Sequence, residues 1–201
     1  MKSKKFDVRY LTKLALLVAI QLVMKATGLG SVPMGPLYMS FLTMPIAVGA
    51  IVMGPVAGAV LGGVFGAVSF YDAVTGASAM TGTFFQISPL HTFILCVVMR
   101  MLMGWTAGML FLALHKFDKL GTWSYLVSGV ATPLLNTFYF MGYICLVFYQ
   151  TDYIQGIVAA KGAANPLMFV ILLVGVQGLI EAVVSGGLGA VVSRAVARFV
   201  K

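Results

Sequence analysis

The sequence predicts an all-α integral membrane protein, a bundle of six transmembrane helices with both termini in the cytoplasm. Three observations carry that prediction. Of 201 residues, 61% are hydrophobic and 9% charged, with a mean hydropathy of +1.03. A soluble domain carries about 25% charged residues to face water on all sides, which excludes soluble, disordered and collagen-like classes. The apolar residues also fall into six runs, and a helical span of the bilayer core takes roughly 20 residues. Residues 1–201 therefore form a single membrane domain, with nothing left over for a nucleotide-binding domain. Finally, the basic residues sit at the ends of these runs, with a strong bias to one side.

The first span is expected over residues 10–27, behind a basic flank of Lys2, Lys4, Lys5, Arg9 and Lys13. Such a flank also precedes signal peptides. Gln21 and Lys25 interrupt the end of the apolar run, and no clean A-x-A site follows, so a retained helix is expected. Gly28–Pro36 is turn-rich and reads as a loop. The second span, 38–53, ends at Gly54-Pro55, where glycine suits a helix end and proline the next helix start. The third span covers 55–70. Residues 71–89, rich in Thr, Ser and Gly, read as a long functional loop. The fourth span (90–114), a loop at Lys116 and Lys119, the fifth span (123–149), a polar loop at 150–165 and the sixth span (167–192) complete the chain.

Ten Lys/Arg then lie on the side holding both termini and the Lys116 loop, against Lys25 and Lys161 on the other, with Arg100 within the membrane. The side rich in Lys/Arg is cytoplasmic, so the three longer loops face outside. Basic residues confined to helix ends do not form a nucleic-acid surface. Cys96 and Cys145 lie in apolar runs without metal or disulfide spacing, as packing residues would. No metal or cofactor is implied.

Small residues four apart mark close helix approaches. They are Ala50, Gly54, Gly58, Gly62 and Gly66; Gly104 and Gly108; and Gly178, Ala182, Gly186 and Ala190. Internal packing of the bundle accounts for these. Ala15 and Ala19 in the first span make a shorter pair, suited to docking another membrane subunit.

Charges inside a bilayer are costly and mark function by default. Arg100 and Glu181 lie at similar depth in spans four and six, so a buried ion pair is expected, with contact to a substrate or partner as alternatives. Thr132, Asn136, Tyr139 and Tyr143 form one stripe on span five, and a local kink is expected at Pro133, which leaves the Gly129 carbonyl without its helical partner. Gln177 lies one turn before Glu181. His91 and Gln86 stand at the outer end of span four. Asn136, Tyr139, Tyr143, Gln177, His91 and Gln86 are thus the candidate substrate-binding residues of an outward-opening pocket covered by the 71–89 loop. The chain has no P-loop, H-E-x-x-H or G-x-S-x-G, and only Arg100 and Glu181 would serve an intramembrane enzyme. It is not expected to be one. No convincing inverted halves of the kind typical of secondary transporters are seen, and a partner supplying the energy would explain such a chain; the competing class is a ligand-free structural or regulatory membrane subunit.

At this point the sequence resembles the substrate-binding S components of bacterial energy-coupling factor (ECF) vitamin transporters. The resemblance rests on Ala15-x-x-x-Ala19, the run Pro45–Pro55 followed by Gly58 and Gly62-Gly63, Arg100–Gly108, Asn136, and Gly178-Leu-Ile-Glu181. It implies a six-helix subunit of the bacterial plasma membrane that captures a water-soluble vitamin outside and docks on a shared module. That module comprises a transmembrane coupling protein and two ATPases, where ATP hydrolysis resides. The resemblance puts Ala15 and Ala19 against the coupling protein and the vitamin at the outer ends of the later helices. It points to the pantothenate, riboflavin, folate and cobalamin group. Pantothenate, a hydroxylated amide with one carboxylate, suits Asn136, Tyr139, Gln177 and one outer cation, Lys25 or Lys161.

Overall fold

The computed structural model describes residues 8–34, 37–118 and 122–200. Lys2, Lys4, Lys5, Lys119 and Lys201, half of the basic side in the charge asymmetry, lie outside them, as do Gly35 and Pro36. Almost all described residues are helical. Helix α1 is Val8–Ala26. It leads into an antiparallel hairpin, β1 (Ser31–Met34) and β2 (Leu37–Ser40), in which Ser31 pairs with Ser40. Helix α2 is Thr43–Met53, α3 Pro55–Val74 and the short α4 Ala79–Ile87. Helices α5 (Pro89–His115) and α6 (Trp123–Phe148) follow, then a short α7 (Asp152–Lys161). Helix α8 begins at Pro166 and continues through a π turn at Ala182–Gly186 to Val200.

Helices α3, α5, α6 and α8 are long and apolar enough to cross a membrane. Helix α2 is apolar but has 11 residues, and the 19 residues of α1 include Arg9, Lys13 and Lys25. Phe138, Leu146, Val176, Leu179 and Val183 point outward and are two-thirds or more exposed. Apolar surface of that kind along whole helices is costly in water and suits hydrocarbon.

Prolines open α3, α5 and α8, where the missing N–H has no helical partner in any case. Asn165 caps α8 by accepting the Met168 N–H at 2.8 Å, satisfying one of the orphan donors of a helix start. Helix α6 continues through Pro133.

Three stretches that composition assigned to loops are structured. Residues 71–89 finish α3 and form α4, 150–165 hold α7, and Gly28–Pro36 contributes β1. The second helix also starts later than expected, because residues 37–40 pair as β2. Polar composition misleads here because each short helix needs only a few apolar residues to seat it. Met80, Phe84 and Ile154 are fully buried, and the Phe84 and Phe148 rings stack with centroids 4.2 Å apart. Together with Phe140, Met141 and Phe169 they close one end of the bundle.

The glycine ladder is the seam between α3 and α5. A Cβ on Gly58 or Gly62 would overlap the carbonyl oxygens of Gly104 and Arg100, and one on Gly66 would lie 2.6 Å from the Cys96 oxygen. The backbones are in contact, as small residues permit. Gly129 and Gly186 repeat this between α6 and α8, where a Cβ on Gly186 would lie 2.6 Å from Val130 Cα. Gly178 packs more loosely, with Thr137 Oγ1 3.7 Å from its would-be Cβ. Gln21 ties α1 to this frame. It is 2% exposed, and its Nε2 donates to the carbonyls of Leu42 and Leu61, both at 3.4 Å.

Candidate functional site

A cavity of about 90 Å³ opens between α1, α3, α4, α5, α6 and α8, toward the end where α1 and α3 finish and α5 and α8 begin. Four charged side chains line it: Lys25, Asp72, Arg100 and Glu181. Lys25, in the last turn of α1, pairs directly with Asp72 near the end of α3. The two are 30% and 19% exposed.

Arg100 is 7% exposed. Its guanidinium lies between two aromatic rings, 4.3 Å from the Phe65 centroid and 4.8 Å from that of Phe140, which offsets part of its desolvation. Nη1 donates to the Cys96 carbonyl at 3.1 Å, within the π turn Ile94–Val98. Nε is buried without a hydrogen-bond partner, and none of the described hydrogen bonds engages Nη2. One edge of a planar fork that stays charged in proteins is therefore held ready. Its matching partner is a carboxylate accepting two parallel N–H bonds.

Glu181 is 3% exposed and lies just before the π turn of α8. Its Oε1 accepts from the Ser40 backbone N–H at 2.6 Å and from Gln177 Nε2 at 3.2 Å. The expected Arg100–Glu181 ion pair is not formed. Both groups face the cavity, but the glutamate is committed to β2 and its own helix, and the arginine to Cys96 and the two rings. Single π turns inside long helices are rare and often sit at functional sites; Arg100 and Glu181 each stand close to one.

Asn136 lines the same cavity with its Oδ1 buried and unpartnered. Thr137, Phe140 and Met141 complete the α6 wall, and Val174 and Gln177 the α8 wall.

A comparison with protein-family models matches residues 9–193 to the substrate-specific component of ECF transporters. The chain belongs to this family. A comparison with curated proteins finds no match. The protein is thus a substrate-binding subunit of a membrane transporter that works with the ECF module, and not a catalytic subunit.

The S component brings only some of the candidate binding residues together. Asn136 and Gln177 reach the cavity. Tyr139 instead packs beside Leu42, Ile46, Leu61, Phe65 and Met103. Tyr143 hydrogen-bonds His91 Nδ1 at 2.9 Å, among the aromatic groups that close the end of the bundle. Gln86 is exposed on α4, outside the cavity lining. Tyr139, Tyr143, His91 and Gln86 are therefore not in the cavity wall. On α6 the cavity lining ends at Met141, and Tyr143 lies beyond it, about 10 Å along the helix from Asn136. The three-residue step to Tyr139 also turns it toward α2 and α3.

Of the two outer cations expected for an anionic ligand, Lys25 lines the cavity and pairs with Asp72, and Lys161 is exposed at the end of α7; Arg100 is a second cation on the cavity, with an edge that no described hydrogen bond engages. The sequence did not mark Asp72, Ser40 or the two rings around Arg100 as site residues. Asp72 carried a usable signal, as one of five acidic residues in the chain and near a helix end.

Ala15 and Ala19 are exposed on α1, on a face shared with Leu11 and Leu22. They contribute nothing to the cavity.

Proposed function

We propose that this S component binds a small carboxylate-bearing vitamin, pantothenate, and delivers it to an ATP-driven importer. The observation that carries the substrate is the Arg100 edge: a buried cation, held by two aromatic rings and at Nη1, with Nε and Nη2 outside any described hydrogen bond beside a cavity. Pantothenate has one carboxylate for that edge, and an amide and hydroxyls for the neighbouring polar groups, Asn136 among them. At about 90 Å³ the cavity lies below the roughly 300–1,000 Å³ of sites for drug-sized ligands, so it must widen even for pantothenate and far more for cobalamin.

In this reading the chain crosses a bacterial plasma membrane six times. Helices α1 and α2 add to the four longer spans, both termini are cytoplasmic, and the Lys25–Asp72 end faces outside. The charge bias of the sequence supports that orientation. The coupling protein meets the Ala15–Ala19 face, and two ATPases bound to it supply the energy.

Calorimetry on the purified subunit with pantothenate, riboflavin, folate and cobalamin tests the substrate, alongside mass spectrometry of vitamin that copurifies. Pantothenate should bind, and Arg100→Gln should weaken it about ten- to hundredfold, the worth of hydrogen bonds to a charged group. Tight binding of another vitamin that is indifferent to Arg100→Gln refutes the proposal.

A further inference from the structure

The Arg100 edge accounts for one end of a ligand and leaves the second buried charge of the cavity unexplained. Lys25 and Asp72 neutralise one another by direct contact. Arg100 and Glu181 remain, lining one cavity without touching. A carboxylate taken up by Arg100 brings a negative charge into the space that Glu181 already faces, and like charges in a poorly solvated site repel strongly. That ligand is accepted only if it gives Glu181 something in return.

The geometry shows what is missing. Two donors, the Ser40 N–H and Gln177 Nε2, converge on Oε1 and fix the plane of the carboxylate. No described hydrogen bond engages Oε2, although a carboxylate accepts about four. Asn136 Oδ1, on the facing helix, is a second buried acceptor without a donor. Beside the Arg100 edge, the cavity thus presents two acceptor oxygens, Glu181 Oε2 and Asn136 Oδ1, that no described hydrogen bond engages.

We infer that Glu181 is a specificity-determining residue: the site selects carboxylates that also carry a hydroxyl donor, and Glu181 Oε2 receives that hydroxyl. This rests on the carboxylate proposal above and extends it to the other end of the ligand. Acceptors left unpaired in a closed site penalise an analogue lacking the donor far more than lost contact area does.

The test uses two probes on the purified full-length subunit: pantothenate, and its analogue with both hydroxyls replaced by hydrogen, N-(3,3-dimethylbutanoyl)-β-alanine. Calorimetry on the wild type should give a ten- to hundredfold preference for pantothenate. Glu181→Gln should remove most of that preference, because pantothenate loses its hydroxyl acceptor while the analogue, relieved of the like charge, binds no more weakly than before. Arg100→Gln should weaken both probes alike. If Glu181→Gln does not fold, Glu181→Asp, which keeps the charge and withdraws the oxygen by one methylene, must still shrink the preference. Equal affinity of the wild type for the two probes, or an undiminished preference in the Glu181 variant, overturns the inference while the Arg100 result upholds the carboxylate reading. Failure of the wild type to bind either probe removes both.

Discussion

Replacing Gly62 by alanine measures how far the binding site depends on the α3–α5 seam. Two effects oppose. In a helix interior, alanine is favoured over glycine by about 1 kcal/mol. At Gly62, however, the new Cβ would overlap the Arg100 carbonyl oxygen and lie 2.8 Å from its carbon, whereas ordinary contact begins at 3.4 Å. The obstacle is backbone and cannot rotate away, so α3 and α5 must part by roughly 1 Å, which forfeits about a quarter to a half of the dispersion attraction along the seam. Overpacking of this kind costs about 1–3 kcal/mol. Gly142 supplies the control, because it is also helical, in α6, but has nothing within 4 Å of its would-be Cβ. The propensity gain is common to both variants, so the difference between Gly142→Ala and Gly62→Ala isolates the overlap, about 1–3 kcal/mol. For a chain of this size that is roughly 2–12 °C in the midpoint of thermal unfolding, read in detergent by circular dichroism. Gly62→Ala should also weaken ligand binding, since the displaced backbone carries Arg100 itself. Coincident midpoints for the two variants would refute the backbone-contact account of the ladder.

Two further outcomes follow from the proposed orientation. In a background with Cys96 and Cys145 replaced by alanine, an impermeant thiol reagent applied to intact cells should label Thr75→Cys and spare Lys116→Cys; the reverse pattern inverts the topology. Replacing Ala15 and Ala19 by leucine should abolish vitamin uptake while calorimetric binding by the isolated subunit is unchanged, because both positions are exposed and remote from the cavity lining. Parallel loss of uptake and binding would make that face structural.

Much of the fold is legible in the sequence because its signals are local. Glycine-proline junctions set the start of α3, and the four-residue ladder Gly58, Gly62, Gly66 announced a backbone seam that the structure places between α3 and α5. The short helices α4 and α7 escaped notice because their stability comes from tertiary burial of Phe84 and Ile154. A nine- or ten-residue segment of mixed composition looks like a loop until the partners of its few buried side chains are known.

The site was legible only in its parts. Equal depth singled out Arg100 and Glu181, which line one cavity, and depth alone makes them an ion pair. What separates them is non-local: Ser40 arrives from a hairpin 141 residues away in sequence to occupy Glu181, and Phe65 and Phe140 come from two other helices to hold Arg100. A closed Arg100–Glu181 pair would have been a structural strut with no capacity left for a ligand. Held apart, the same two residues keep an unengaged donor edge and an unengaged acceptor oxygen on one cavity. That polarity is what the proposal above assigns to the substrate, in a chain whose family is the substrate-specific component of ECF transporters.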